Sequence, residues 1–431
     1  MKRPQVVVFL ALLGMAASAA EAPGSGESVP VETWTPWIPR PANAPLLGGS
    51  PDAQLLVDGN SNRAVLGGWE GLASGIRAGT WYRLSARYRS TGLTHEMRQV
   101  VCRIDWRNSD GRRVGQPEYG WRTEKAGEWT RVLIEAPAPK EADRAAVQLL
   151  LWDAPAAKVW WNEVRLESIR APAERRVRIA AVNLYPRNSN SSEASLDRFI
   201  EVVDRQIGRD DADVIVLPEG ISVAGTGKSY ADVAGPVPGP VTERLGAVAR
   251  AHHSYLAAGV YEQDGPALYN TAVLLDRSGR LAGKYRKVYI PREETEGGIS
   301  PGNDYPVFET DFGRVGLLIC WDIQYADPAR ALTLRGAEIL LLPIWGGNEV
   351  LARARAIENQ VFLVSSGYDF PTQVIAPDGE ILSMSRAQGT VARATIDLDR
   401  RYADPWLGDM RARLRKELRL DVPVLPEAAW R

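Results

Sequence analysis

The chain has 431 residues, 52 Lys+Arg against 53 Asp+Glu, and a formal net charge of -1. That length allows two or three domains, each with its own core. The charge balance excludes a basic nucleic-acid stripe or an acidic tail as the organising feature, so no nucleic-acid partner is expected.

In chain order, Lys2 and Arg3 precede the apolar run Val6–Ala17 and the small-x-small segment Ala17-Ser18-Ala19. This reads as a signal peptide over residues 1–20 and predicts export to the periplasm or medium. The run is short for a bilayer span, which leaves an uncleaved anchor as the competing reading. Export means an oxidising compartment, yet only Cys102 and Cys320 are present, in segments assigned to different domains. An exported protein that keeps an unpaired Cys320 needs a reason for it, and reactivity is one.

Residues 21–30 are a Gly/Ser/Pro-rich lead-in. From 31 to 169, short runs of β-forming residues alternate with turn residues, and no long helical period interrupts them. Trp81–Tyr88, Gln99–Trp106, Thr130–Glu135, Ala146–Trp152 and Lys158–Leu166 are the predicted strands, with a turn at Asn108-Ser-Asp-Gly111. The prediction is a β-sandwich accessory domain, similar to jelly-roll carbohydrate-binding modules. Its tryptophans (Trp34, Trp37, Trp69, Trp106, Trp121, Trp129, Trp152, Trp160 and Trp161) are core packing or a sugar-stacking platform, so carbohydrate is a candidate partner.

A polar linker at 170–176 precedes a change of pattern. Val177–Leu184 reads as a strand, Glu193–Asp210 as an amphipathic helix and Asp213–Pro218 as a buried strand. Helix and strand then alternate to about residue 398, the signature of a layered α/β domain over 177–398. Residues 399–431 read as a peripheral arm.

Strand ends in this second domain present Glu219, Lys287 and Cys320. The buried run Val315–Ile319 delivers Cys320 to the carboxyl end of a strand, where open α/β sheets place their chemistry. A buried structural cysteine is the plain alternative. A thiol nucleophile needs a base. His95, His252 and His253 are poorly placed for that work, the first in the sandwich and the others on a packed helix. No Gly-x-Ser-x-Gly elbow and no metal-ligand spacing occurs. A desolvated carboxylate serves as base instead, with an ammonium to stabilise the developing oxyanion.

Leu217-Pro-Glu219-Gly, Tyr285-Arg-Lys287-Val and Leu318-Ile-Cys320-Trp-Asp322, in that order, resemble the Glu-Lys-Cys motifs of the nitrilase, or carbon–nitrogen hydrolase, superfamily. Leu268-Tyr-Asn270-Thr, Ser300-Pro-Gly302 and Arg355-Ala-Ile-Glu-Asn359 extend the resemblance over about 176–400. It implies an αββα sandwich, Glu219 as general base, Lys287 holding the tetrahedral intermediate, Cys320 as nucleophile and the Trp321 N–H in the oxyanion hole. It implies no metal or organic cofactor, and a homo-oligomer. A second, positioning glutamate is expected at Glu296, beside the Gly that precedes the Pro-Gly turn, with Glu294 in reserve. Glu219 also reads as a capped loop carboxylate, and Lys287 as a solvated member of a basic run. The implied activity is hydrolysis of a small amide or N-carbamoyl compound. Nitrile hydrolysis, or a binding protein on an inactive hydrolase fold, are the alternatives.

Overall fold

The computed structural model describes residues 26–422. The signal-peptide expectation at 1–20 and the end of the C-terminal arm lie outside them. Among the described residues no helix is long and apolar enough to cross a membrane.

Two antiparallel sheets build the N-terminal region. A 7-stranded sheet carries Lys158–Ile169, Trp81–Thr91 and Trp129–Pro137 at its centre, and a 5-stranded sheet carries Leu66–Ser74, Arg144–Trp152 and Val100–Arg107. Alternation decides which residues face inward. Tyr82, Leu84, Ala86 and Tyr88 are buried from one strand, with Cys102, Ile104 and Trp106 from the facing sheet, in one shared core. Trp106 and Trp161 are fully buried, tilted against Tyr82 and Tyr88 at centroid distances of 5.8 and 5.0 Å. Leu66–Ser74 was not legible as a strand because Gly67, Gly68 and Gly71 break its pattern. The need for glycine there is steric, since a Cβ at Gly71 would sit 2.7 Å from the Trp34 ring. Several tryptophans outside the core are capped by arginine. Arg89 lies over Trp129 and Trp160, Arg103 over Trp37, and Arg98 over Trp152.

The second region contains a pair of 6-stranded sheets. One runs Leu281–Arg286, Ala267–Leu275, Tyr255–Asp264, Val214–Val216, Arg176–Asn183 and Thr390–Asp397; the other runs Val307–Glu309, Arg314–Leu317, Ile339–Pro343, Phe362–Ser366, Thr372–Ile375 and Ile381–Ser385. Their inner faces share a core of Ile179, Val214, Val216, Leu317, Leu341 and Val364. The opposite faces of the same strands carry the helices. Ser192–Gln206 and Pro240–His252 pack Phe199, Val203 and Leu245 on the first sheet. Asp327–Leu334 and Glu349–Asn359 pack Leu332 and Ala356 on the second. Strands covered on both faces must be apolar throughout, which is why Ile339–Pro343 is a continuous apolar run and is wholly buried. The layering is helix, sheet, sheet, helix.

The first helix is shorter than its sequence period suggested. It ends at Gln206, followed by the cap Ile207 and Gly208, rather than at Asp210. The arm also departs from its peripheral reading. Its helix Met410–Glu417 buries Lys416 against the sandwich, and Lys416 Nζ donates to the carbonyls of Met97 and Val100, each at 2.7 Å. Arg401 pairs with Glu118 at 2.6 Å, so the segment ties the two regions of one chain together.

Candidate active site

Each candidate residue sits just past the end of a strand, for a local reason. Glu219 follows Val214–Val216, and Gly220 turns the chain away with φ +58. The neighbouring strand allows this close approach only because it carries glycine, for a Cβ at Gly259 would lie 2.6 Å from the Glu219 Cα. Lys287 follows Leu281–Arg286, its N–H bonded to the Asn270 carbonyl at 2.9 Å. Cys320 follows Arg314–Leu317 and opens a 3-10 turn with φ +40. That left-handed conformation is costly for a residue with a Cβ, and here it turns the thiol out of the buried strand. Asp322 holds the elbow. Fully buried, it accepts from the Ile319 N–H at 2.9 Å, the Tyr285 hydroxyl at 2.8 Å and the Tyr289 N–H at 3.1 Å. Burial pushes its carboxyl up to about 6 against those donors.

The groups converge on one cavity of about 690 Å³, lined by Glu219, Lys287, Glu294, Cys320, Tyr261 and Trp345 among others. Lys287 is 1 % exposed, so the solvated reading of its side chain fails. Its Nζ donates to Glu219 Oε1 and to Glu294 Oε2, both at 3.0 Å. Asn270 Nδ2 donates to Glu219 Oε1 and to Glu294 Oε1, both at 2.6 Å. Glu219 Oε2 is buried and has no hydrogen-bond partner. Burial pushes Lys287 down, but the negative groups around it, Glu219 the largest of them, together outweigh burial and hold the ammonium above its ordinary range. Burial pushes Glu294 up, opposed by the Lys287 charge. The Cys320 thiol is pushed up to about 12, by burial first and then by the Glu219 charge, with Lys287 acting in the opposite direction. It contacts the Gly346 carbonyl at 3.6 Å. That upward shift keeps the Cys320 thiol protonated at neutral pH.

Glu296 is not part of this cluster. Its side chain is 71 % exposed and pairs with Arg292 at 4.0 Å. Glu294 occupies the inner position. Both lie on the short helix Arg292–Glu296, where residues two apart point to nearly opposite sides. Only one can face Lys287, and the choice depends on how that helix is rolled. Trp321 is 39 % exposed, and its N–H lies in the first turn, where no partner exists within the segment. His252 bonds Asp204 at 2.8 Å, and His253 caps a helix beside Asp210, both outside the cavity. Cys102 is buried in the sandwich, and neither cysteine is bridged. Among the described residues no group of His, Cys, Asp and Glu could hold a metal ion.

Sequence reading missed the supporting residues. Asn270 stood in a recognised segment without a role, yet it bridges both glutamates. Asp322 stands two residues after Cys320, and nothing in the sequence marks it as the group that holds the turn. Tyr368, whose hydroxyl donates to the Glu219 carbonyl at 2.7 Å, gave no sequence signal. Nor did Tyr261, whose hydroxyl reaches Glu294 at 3.4 Å.

The family model described as "Carbon-nitrogen hydrolase" matches residues 178–405. The chain belongs to the carbon–nitrogen hydrolase family. Among curated relatives, the omega-amidase NIT2 of Xenopus tropicalis is 29 % identical over 265 residues, covering 54 % of this chain and 92 % of that protein. The omega-amidase NIT2 of Danio rerio is 31 % identical, covering 55 % and 92 %. Among solved structures, a carbon-nitrogen hydrolase from Helicobacter pylori G27 aligns with a TM-score of 0.44 and 21 % identity, covering 52 % of this chain and 90 % of that one. The residues that the family model matches are those of the α/β region of this carbon–nitrogen hydrolase.

Proposed function

We propose that this hydrolase cleaves the C–N bond of a small, non-peptide amide through a thioester on Cys320. One observation carries the reading. Lys287 binds Glu219 through a single oxygen, and the other, Oε2, is left buried and unpartnered on the cavity that also holds the thiol. With the thiol near 12, attack and deprotonation are coupled: Sγ bonds to the carbonyl carbon as its proton passes to Glu219. The carbonyl oxygen gains the negative charge, and Lys287 Nζ and the Trp321 N–H stabilise it. Glu219 returns the proton to the nitrogen, the C–N bond breaks, and ammonia or an amine leaves. Water then attacks the thioester with Glu219 again as base, and the released thiolate recovers a proton. Glu294 and Asn270 position Lys287 and Glu219 without touching the substrate.

Amide is favoured over nitrile and N-carbamoyl substrates by the curated relatives, which are omega-amidases by name. For the sandwich, an accessory structural role stands ahead of sugar binding, because arginines already cover several tryptophan faces. Export through residues 1–20 and self-assembly belong to the same proposal. N-terminal sequencing of the mature protein and light scattering test them.

The deciding experiment is ammonia release from a panel of primary amides by the wild-type chain and Cys320→Ala, with intact mass spectrometry. The expected result is turnover and an acyl adduct that both require Cys320. Turnover that survives Cys320→Ala sinks the reading.

A further inference from the structure

We propose that the cleft between the sandwich, the α/β region and the C-terminal helix is a second ligand site, which takes an aliphatic carboxylate on Arg415. The cleft has a volume of about 750 Å³ and, among the described residues, shares no lining residue with the cavity of Cys320. Contacts from three segments fix its walls. Arg415, on the helix Met410–Glu417, lies with its guanidinium 4.9 Å from the centroid of the Trp121 ring and donates to the Thr333 carbonyl at 3.4 Å. That bond sets Leu334, the last residue of the helix Asp327–Leu334, beside it. Arg122 approaches the same Trp121 ring at 5.2 Å and stands opposite Leu133 in the strand register. Met97 is brought in by its carbonyl, which accepts from Lys416 Nζ at 2.7 Å. Leu133, Leu334 and Met97 all line the cleft, and the last two remain exposed. An apolar concavity with a few convergent polar groups, at a junction of domains, is where small ligands bind.

Charge decides the chemistry of the occupant. The other charges of the cleft have partners or cross-strand neighbours. Arg98 pairs with Asp153 at 2.8 Å and Arg122 with Asp399 at 3.2 Å. Glu96 accepts from the Tyr88 hydroxyl at 2.8 Å, and Glu124 stands opposite Arg131. Among the described residues Arg415 has no carboxylate within ion-pair distance. Burial first, then the like charges of Arg411 and Arg314, disfavour its cation, and Glu338 works the other way. A guanidinium carries five N–H donors, and the Thr333 carbonyl takes one of them. A carboxylate matches the remaining fork and supplies the missing counter-charge. With two guanidiniums already over the Trp121 ring, an alkyl chain fits the apolar wall better than a stacked sugar. A ligand so placed touches all three segments and would hold the C-terminal helix to both regions.

The test measures binding of octanoate by calorimetry and by thermal melts. The comparators are octanol, which lacks the charge, octylamine, which reverses it, and acetate, which lacks the chain, all kept below the concentrations at which they aggregate. Octanoate is expected to bind roughly ten- to a hundred-fold more tightly than octanol or acetate and to raise the melting temperature, with octylamine the weakest. Arg415→Gln should abolish the preference for octanoate over octanol, and Arg415→Lys, which keeps the charge and gives up the fork, should fall between. Leu334→Ser should weaken octanoate and leave acetate unchanged. Amide turnover should be the same in Arg415→Gln as in the wild-type chain, so the result does not depend on the hydrolytic reading. Equal binding of the four probes, octanoate binding that survives Arg415→Gln, or purely competitive inhibition of amide turnover by octanoate overturns the inference. Octanoate binding seen only in a chain ending at Val422 assigns the cleft to residues 423–431 and overturns it as well.

Discussion

Lys287 reaches Glu219 through Oε1 alone, at 3.0 Å, and leaves Oε2 buried without a partner. No protein group partners that second oxygen, so it remains an available acceptor. Here one oxygen anchors the side chain to the ammonium and the other is free to accept a proton.

That division predicts opposite effects of a single change. Glu219→Gln should reduce amide turnover by about a thousand-fold, because the base is lost. It should also make Cys320 more reactive towards iodoacetamide at a fixed pH, since the Glu219 charge is among the causes that raise the thiol. In the wild-type chain, alkylation should be slow at neutral pH and rise as pH climbs towards about 12. Labelling rates across pH 7–11, set beside ammonia release, check both; slower labelling of Glu219→Gln would contradict the assignment.

The two glutamates of the short helix should behave differently. Glu294→Gln removes a carboxylate from Lys287 and should lower kcat by about a hundred-fold, within the range for general acid–base machinery. Glu296→Gln removes only an exposed pair at 4.0 Å and should stay within about two-fold of wild type. Equal losses in the two variants would place the wrong glutamate inside.

Asp322→Asn tests the elbow. The carboxylate accepts from donors on Ile319, Tyr285 and Tyr289, and an amide must turn its own NH2 towards one of them. The expected outcome is a lower melting temperature and a fall in kcat with little change in KM. Thermal melts and steady-state kinetics read it out, and an unchanged kcat would show that the elbow needs no clamp.

The C-terminal helix should detach when Lys416 is shortened. Lys416→Ala leaves the Met97 and Val100 carbonyls without their donor, at a cost of about 1–3 kcal/mol, and should expose residues 399–422 to limited proteolysis. Burial lowers Lys416 from 10.5 to about 8, so between those values the unfolded chain binds the proton that the folded chain lacks. Stability from this group therefore rises with pH across that window, and the gap between wild type and variant should widen from pH 8 to 10.5. A constant gap would mean that Lys416 titrates normally.

The sequence by itself determined the layered α/β domain, because strands covered on both faces must be apolar throughout, as at Ile339–Pro343. It also placed Glu219 and Cys320 after buried runs, whereas Lys287 follows the mostly half-buried strand Leu281–Arg286 and is marked by its motif alone. The rest depended on contacts between segments far apart in the chain. Asn270 bridges Glu219 and Glu294 only once the neighbouring strand is in register. Whether Glu294 or Glu296 faces Lys287 turns on the roll of a single-turn helix, which five polar-rich residues cannot fix without the packed wall beside them. The docking of Lys416 on Met97 and Val100 joins residues more than three hundred apart, and no local pattern encodes a partner at that distance.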